Sequence, residues 1–248
     1  MAWLGLTAIS ATAVAQTLSP QQEFLFEETN QARAEQRLPP LQWDNALAQA
    51  AQAHAEWLAQ KGQLSHQYPG EADLTARAAQ AGAHFQTIAE NIALGPDAKV
   101  IQNQWMKSPP HRANILDPDL NAVGFAVVER GGSLYAVADF ERSTPNLTAD
   151  QVEEAVARLL SAHKLQTAGL ASNLRQDARQ TCEMSHGTAG GSSPMFVMRW
   201  QSSDLSQLPS ALAERLASHQ YQSAAVGACS SANAEQGFTT YRVAVLLY

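Results

Sequence analysis

Trp105-Met106-Lys107-Ser108-Pro109-Pro110-His111-Arg112-Ala113-Asn114-Ile115-Leu116, WMKSPPHRANIL, decides how the chain is read. Its first residues close a helical pattern in which Val100, Ile101, Gln104 and Trp105 share one side, predicting a helix from Pro96 to Lys107. Ser108 stands before a proline, which disfavours helical geometry there, so the double proline breaks the helix. A second short helical run then presents His111 and Arg112. The stretch is therefore a corner between two helices, and the question is whether its histidine has a chemical partner.

Working outward, AVGFAVVERGGSLYAVADFE after the corner is a hairpin, two β-rich runs joined at Gly131-Gly132. Before it, HFQTIAENIALG predicts a short strand. Ser19-Pro20-Gln21-Gln22 supplies an N-cap, a proline at the first helical position and a glutamine to complete a capping box, opening a helix to about Arg37. After Pro39-Pro40, Asp44 caps a second helix whose buried face is Leu47, Ala50, Ala51, His54, Trp57 and Leu58. On that face His54 reads as a core histidine, and Trp43, Trp57 and Trp105 read as core aromatics. KGQLSHQYPGEAD is a loop, followed by a short helix from Leu74 to Gly82.

The composition turns polar at STPNLTADQVEEA, where Thr148 and Gln151 form another capping box and a second unit starts. Its end, AAVGACSSANAEQGFTTYRVAVLLY, echoes NAVGFAVVERGGSLYAVADFE: Ala-Val-Gly, a strand, a turn bearing glycine, a second strand. This leaves two readings, a shortened and degenerate internal repeat or two unrelated α+β units. If the repeat is real, His186 falls near the place of His66, without a partner.

The chain has 248 residues, 45% hydrophobic and 16% charged, which suits a globular protein with a core. A net charge of −7 and no basic run longer than two leave no footprint for nucleic acid or an anionic membrane surface. Residues 1–15, MAWLGLTAISATAVA, are uncharged and end on Ala13-Val14-Ala15, which predicts an export signal too short to be a transmembrane segment. The expected location is secreted or periplasmic. The two cysteines, Cys182 and Cys229, would then form a disulfide, with two buried thiols as the alternative.

NQARAEQRLPPLQWDNALAQAAQAHAEWLAQKGQLSH, IAENIALG and WMKSPPHRANILDPDLNAVGFAVV, in this order, resemble the bacterial branch of the CAP superfamily, which includes cysteine-rich secretory proteins, antigen 5 and plant pathogenesis-related proteins. The resemblance covers Ser19 to Arg142. It implies an α+β fold, a three-layer α-β-α sandwich over 19–143, with a smaller α+β unit over 147–248 left outside it. It also implies a cleft where two histidines and two acids meet, and by motif these positions are His66, Glu90, Ser108 and His111. Ser108 stands where the second acid belongs.

Several chemistries remain open for such a cleft. His66 and His111 with one carboxylate and water could hold a divalent ion, zinc by preference, or the side chains could simply satisfy one another. Ser108, His111 and Glu90 suggest a nucleophile, base and orienting acid, but KSPPHR has neither a glycine nor a nucleophile elbow. The sequence thus favours a non-catalytic exported module that binds a lipid, glycan or envelope component, with no cofactor or a weakly held zinc. The alternative is a zinc-dependent or Ser/His/Glu-type secreted hydrolase.

Overall fold

The structure, a computed structural model, describes residues 18–169, 172–230 and 238–248. The predicted export signal over 1–15 lies outside the described residues. Chain order begins α1 (Pro20–Glu35), β1 (Gln42–Trp43), α2 (Asn45–Lys61), α3 (Leu74–Gln80), β2 (Phe85–Gly95), α4 (Ala98–Lys107), α5 (Pro109–Ile115), β3 (Ala122–Arg130) and β4 (Ser133–Ser143). The local signals act as expected. Ser19 and Gln22 form the capping box of α1, and Asp44 Oδ1 accepts the Leu47 N–H at the start of α2. Gly62 ends α2 with φ 69°, a left-handed cap that a side chain would strain.

The four strands form one sheet in the order β1-β3-β4-β2, with β1 parallel to β3 and the other pairs antiparallel. Leu25 of α1, Ile101 and Trp105 of α4 and Ile115 of α5 pack with Phe125, Ala138 and Phe140 on one face. Ala51, Ala55 and Leu58 of α2 pack with Ile92, Ala126 and Val137 on the other. Helices on both faces of an antiparallel-dominated sheet make the α-β-α sandwich. On β3, Gly124 lets α2 come down onto bare backbone: a Cβ there would lie 2.1 Å from the Ala48 amide nitrogen.

The opening stretch has a definite task in this frame. β2 is an edge strand, and its outward carbonyls need donors. Trp105 Nε1 donates to the Ile92 carbonyl at 3.2 Å, and Asn114 Nδ2 donates to the Glu90 carbonyl at 3.3 Å. The corner α4–α5 is thus the cover of the sheet edge. It is held from behind by Arg33, 1% exposed, whose guanidinium donates to the carbonyls of Pro39, Ile115, Asp117 and Leu120.

One correction concerns β2. It runs eleven residues rather than forming a short strand, and its polar centre, Glu90-Asn91, is buried. Alternation fails as a signal there because these polar side chains are satisfied by neighbours from other elements.

A second unit follows: α6 (Ala149–Ala162), β5 (Gln166–Thr167), α7 (Asn173–Glu183), β6 (Phe196–Ser202), α8 (Ser210–Leu216), β7 (Ser223–Cys229) and β8 (Tyr241–Leu247). Its sheet has the order β5-β7-β8-β6, with β5 parallel to β7. This is the topology of the first sheet, element for element. α6 and α8 cover one face and α7 the other. Gly227 repeats the place of Gly124, with a Cβ there falling 2.1 Å from the carbonyl carbon of Ala178 in α7. No counterpart of α3 or α5 occurs among the described residues. The disulfide Cys182–Cys229 ties α7 to the end of β7.

β4 also buries a carboxyl. Glu141 of β4 is 1% exposed, and its Oε2 has no hydrogen-bond partner among the described residues. Burial, with a smaller contribution from the charge of Asp44, pushes its pKa up to about 8.

Candidate functional site

Glu90 sits at the middle of β2, opposite Asp139 of β4, on the sheet face that α2 covers. His66 comes from the loop after α2, and its Nδ1 lies 2.7 Å from Glu90 Oε1. Arg77 of α3, 5% exposed, donates through Nη2 to Glu90 Oε2 and through Nη1 to the Ala72 carbonyl at 3.1 Å. Both carboxylate oxygens of Glu90 are thus engaged, one by an imidazole and one by a guanidinium.

Behind this pair lies a second layer. His54 of α2 is fully buried, with Nδ1 2.6 Å from Glu71 Oε1 and Nε2 3.8 Å from Glu90 Oε2. Glu71 Oε2 accepts the Tyr68 N–H at 3.0 Å, which fixes the loop that carries His66. His54 is therefore the hydrogen-bonded core histidine that the sequence suggests, and it braces the cleft.

His111 reaches the cleft from the first turn of α5. Asn91, on the opposite face of β2 from Glu90, donates from Nδ2 to the His111 carbonyl at 3.0 Å, and Asn114 donates to Asn91 Oδ1 at 2.9 Å. The Glu-Asn pair of β2 thus works on both sides of the sheet: Glu90 holds the imidazole of one histidine, and Asn91 anchors the main chain of the other.

The electrostatics separate the two imidazoles. The hydrogen bond to Glu90 is the largest influence on His66 and raises its pKa, while burial, followed by the charge of His66, lowers that of His111. The charge of His66 is felt at His111, so the two imidazoles lie near one another. Asp139 is fully buried, and desolvation, reinforced by the Glu90 charge, pushes its carboxyl well above the ordinary range.

Ser108 occupies the hinge between α4 and α5 in an extended conformation, φ −91° and ψ 116°, as the following proline predicts. Its N–H closes α4 onto the carbonyls of Gln104 and Trp105 at 3.1 and 3.2 Å. Its side chain forms no N-cap bond to α5.

The donor chemistry bears on zinc. His66 keeps Nε2 for a ligand because Nδ1 faces Glu90, and His111 supplies a second nitrogen. Glu90 is committed to His66 and Arg77, and among the described residues no group of three or more His, Cys, Asp or Glu is arranged to hold a metal ion. A resident zinc centre takes at least three protein ligands, so the residues present do not fit one.

Arg77, Glu71 and Asp139 were not among the sequence candidates. Asp139 carries a signal: it interrupts the apolar run LYAVADF at a position that faces α2. Arg77 in LTARAAQ carries a weaker one, the lone charge on an alanine-rich turn.

In the second unit the register puts Arg199 of β6 at the place of Glu90, since Asp139 pairs Gly124 and Ala244 pairs Gly227. An arginine and an alanine replace the two acids, so the repeated scaffold has no repeated cleft.

Comparison with known proteins agrees with the architecture. The model of the cysteine-rich secretory protein family, CAP, matches residues 26–140. Among curated proteins, the uncharacterized protein YkwD of Bacillus subtilis (strain 168) is 32% identical over 123 residues, 49% of this chain and 48% of that protein. The uncharacterized membrane protein YlbC of the same strain is 30% identical over 113 residues, 45% of this chain and 32% of that protein. The chain thus spans less than half the length of the curated relatives it matches. A solved structure of an extracellular protein containing a SCP domain from Bacillus anthracis str. Ames is 26% identical, covers 52% of this chain and 45% of its own, and has a TM-score of 0.47. Residues 26–140, the span that carries His66, Glu90 and His111, thus form a CAP domain similar to those of bacterial members of the family.

Proposed function

We propose that this is an exported, non-catalytic binding protein whose CAP unit, over 19–143, engages a lipid, glycan or cell-envelope component at the hollow between His66 and His111, with a separate C-terminal unit over 147–248. The observation that carries this reading is that the carboxylates beside the exposed imidazole are already engaged: both oxygens of Glu90 are held by His66 and Arg77, and both of Glu71 by His54 and Tyr68, which leaves neither poised as a base. The residues that face outward, His66 with a 62% exposed side chain and the half-buried His111, are suited to recognition through their free nitrogens. Export is supported by the apolar run at 1–15 and by the disulfide, which persists in oxidising compartments.

A hydrolase reading needs Ser108 activated by His111, and the extended hinge geometry of Ser108 gives no support to it. A weak divalent site on His66 and His111 alone has two nitrogen ligands and would be lost in the double alanine variant.

The test is ligand-dependent stabilisation. Thermal melts against phospholipid vesicles, sterols and peptidoglycan fragments should show a shift with one class, reduced in His66→Ala and His111→Ala, while both variants melt near the parent without ligand. No shift with any class, or turnover of a peptide or ester abolished by Ser108→Ala, would replace the binding reading.

A further inference from the structure

The two sheets share a topology but not an edge treatment. β2 is covered by α5 and by the side-chain donors Trp105 and Asn114. β6 holds the same edge position in its sheet, and the counterpart of α5 is missing among the described residues. Just past β8, Tyr248 exchanges hydrogen bonds with Ser223, the first residue of β7, so Leu247, Val245 and Val243 turn their backbone toward β6. Phe196, Met198 and Trp200 therefore pair with β8, and the N–H and C=O groups of Val197, Arg199 and Gln201 point outward. Among the described residues these groups have no partner. A row of unpaired donors and acceptors at the spacing of a strand is a template for another strand.

The side chains around this edge do not block it. Arg199 folds back, donating from Nε to the Thr181 carbonyl at 2.7 Å and from Nη2 to the Gly187 carbonyl, and has no carboxylate partner among the described residues. On the other face Arg215 of α8 lies 4.9 Å from the centre of the Phe196 ring. An open hollow of about 670 Å³, lined in part by Trp200, Leu208 and Pro209 and in part by Ser202, Asp204 and Gln207, adjoins the end of the strand. The edge thus combines unpaired backbone, an arginine on each face that makes no ion pair among the described residues, and an open hollow of mixed lining at its end.

We infer that the outer edge of β6 binds an extended peptide segment of another protein as an added strand, with an acidic side chain opposite Arg199. The charge selects this occupant over a second copy of the chain. Antiparallel pairing of two β6 edges about their centre would set Arg199 against Arg199, and like charges directly opposite are unfavourable. An acidic residue at that position gains what the arginine lacks, and the main chain supplies the register.

The experiment uses the full chain and fluorescein-labelled peptides of about ten residues, alternating threonine and valine, with glutamate, glutamine or lysine at the centre. Anisotropy titrations should show the glutamate peptide binding up to about fivefold more tightly than the lysine peptide. In Arg199→Glu the order should invert. Val197→Pro removes an outward N–H and leaves the bonds to β8 in place, so it should weaken all three peptides at least about tenfold while the melting temperature stays near the parent's. Should Val197→Pro fail to fold, Gln201→Pro makes the same test at another outward position. The inference is overturned if no peptide binds at about 1 mM, if the proline variants bind like the parent, if charge at the peptide centre has no effect, or if the parent forms a dimer that Val197→Pro abolishes, which would assign the edge to a second copy. None of these outcomes depends on the cleft of the first unit.

Discussion

Glu141 makes stability depend on pH in a way that can be calculated. Its carboxyl titrates at about 8 in the folded chain against an ordinary 4.5. The folded state therefore holds a proton that the unfolded state has released, and folding is favoured at low pH. The contribution is fully present below about pH 4.5, falls as pH rises, and is lost once pH passes the folded value. The slope approaches about 1.4 kcal/mol per pH unit across this window. Relaxation and water entry lower the sum, leaving on the order of 3 kcal/mol lost between about pH 5 and pH 8. Glu141→Gln keeps the shape and removes the charge. Urea unfolding at both pH values should show parent and variant close at pH 5 and the variant more stable by that amount at pH 8. Comparing variant with parent cancels the other titrating groups. A variant-minus-parent difference that is the same at both pH values would refute the reasoning.

Three further outcomes follow from the cleft and the second unit. Arg77→Met leaves Glu90 and Glu71 without their shared cation and should destabilise the chain by about 3–5 kcal/mol in urea unfolding, whereas the surface change Arg142→Met should cost under about 1 kcal/mol. Imidazole NMR titration should place His66 above and His111 below the usual 6.5, and Glu90→Gln should lower His66 toward that value. Replacing Cys182 and Cys229 by serine opens a crosslink spanning 47 positions and should cost about 4 kcal/mol, read as a lower melting temperature of the second unit while the imidazole signals of the first stay in place.

The parts of the fold that the sequence revealed are those set by local chemistry. Capping residues at Ser19, Asp44 and Thr148 start helices where they stand, and Pro109 turns Ser108 out of helical geometry wherever the chain later goes. The Ala-Val-Gly echo was legible as well, because both sheets need a strand residue without a side chain beneath a helix. The pairing of His66 with Glu90 was accessible only through the family resemblance, since nothing local joins a loop to a strand so far along the chain. Arg77 stayed hidden for a different reason. An arginine on a short helix ordinarily points to water, and only the buried Glu90, Glu71 and Asp139 make an inward guanidinium favourable.

Gly124 and Gly227 bear on how such a chain can diverge. Where helix and strand touch main chain to main chain, the separation between layers is fixed by atoms that mutation cannot alter, and the single vulnerable position is the one where a methyl group would intrude. Everything facing the hollow is free of that constraint. Glutamate can become arginine and aspartate can become alanine, as at Arg199 and Ala244, without moving the layers apart. A spacer built from backbone thus separates what sets the shape from what sets the chemistry, and two units with the same sheet order can line the space beneath the helix with different side chains.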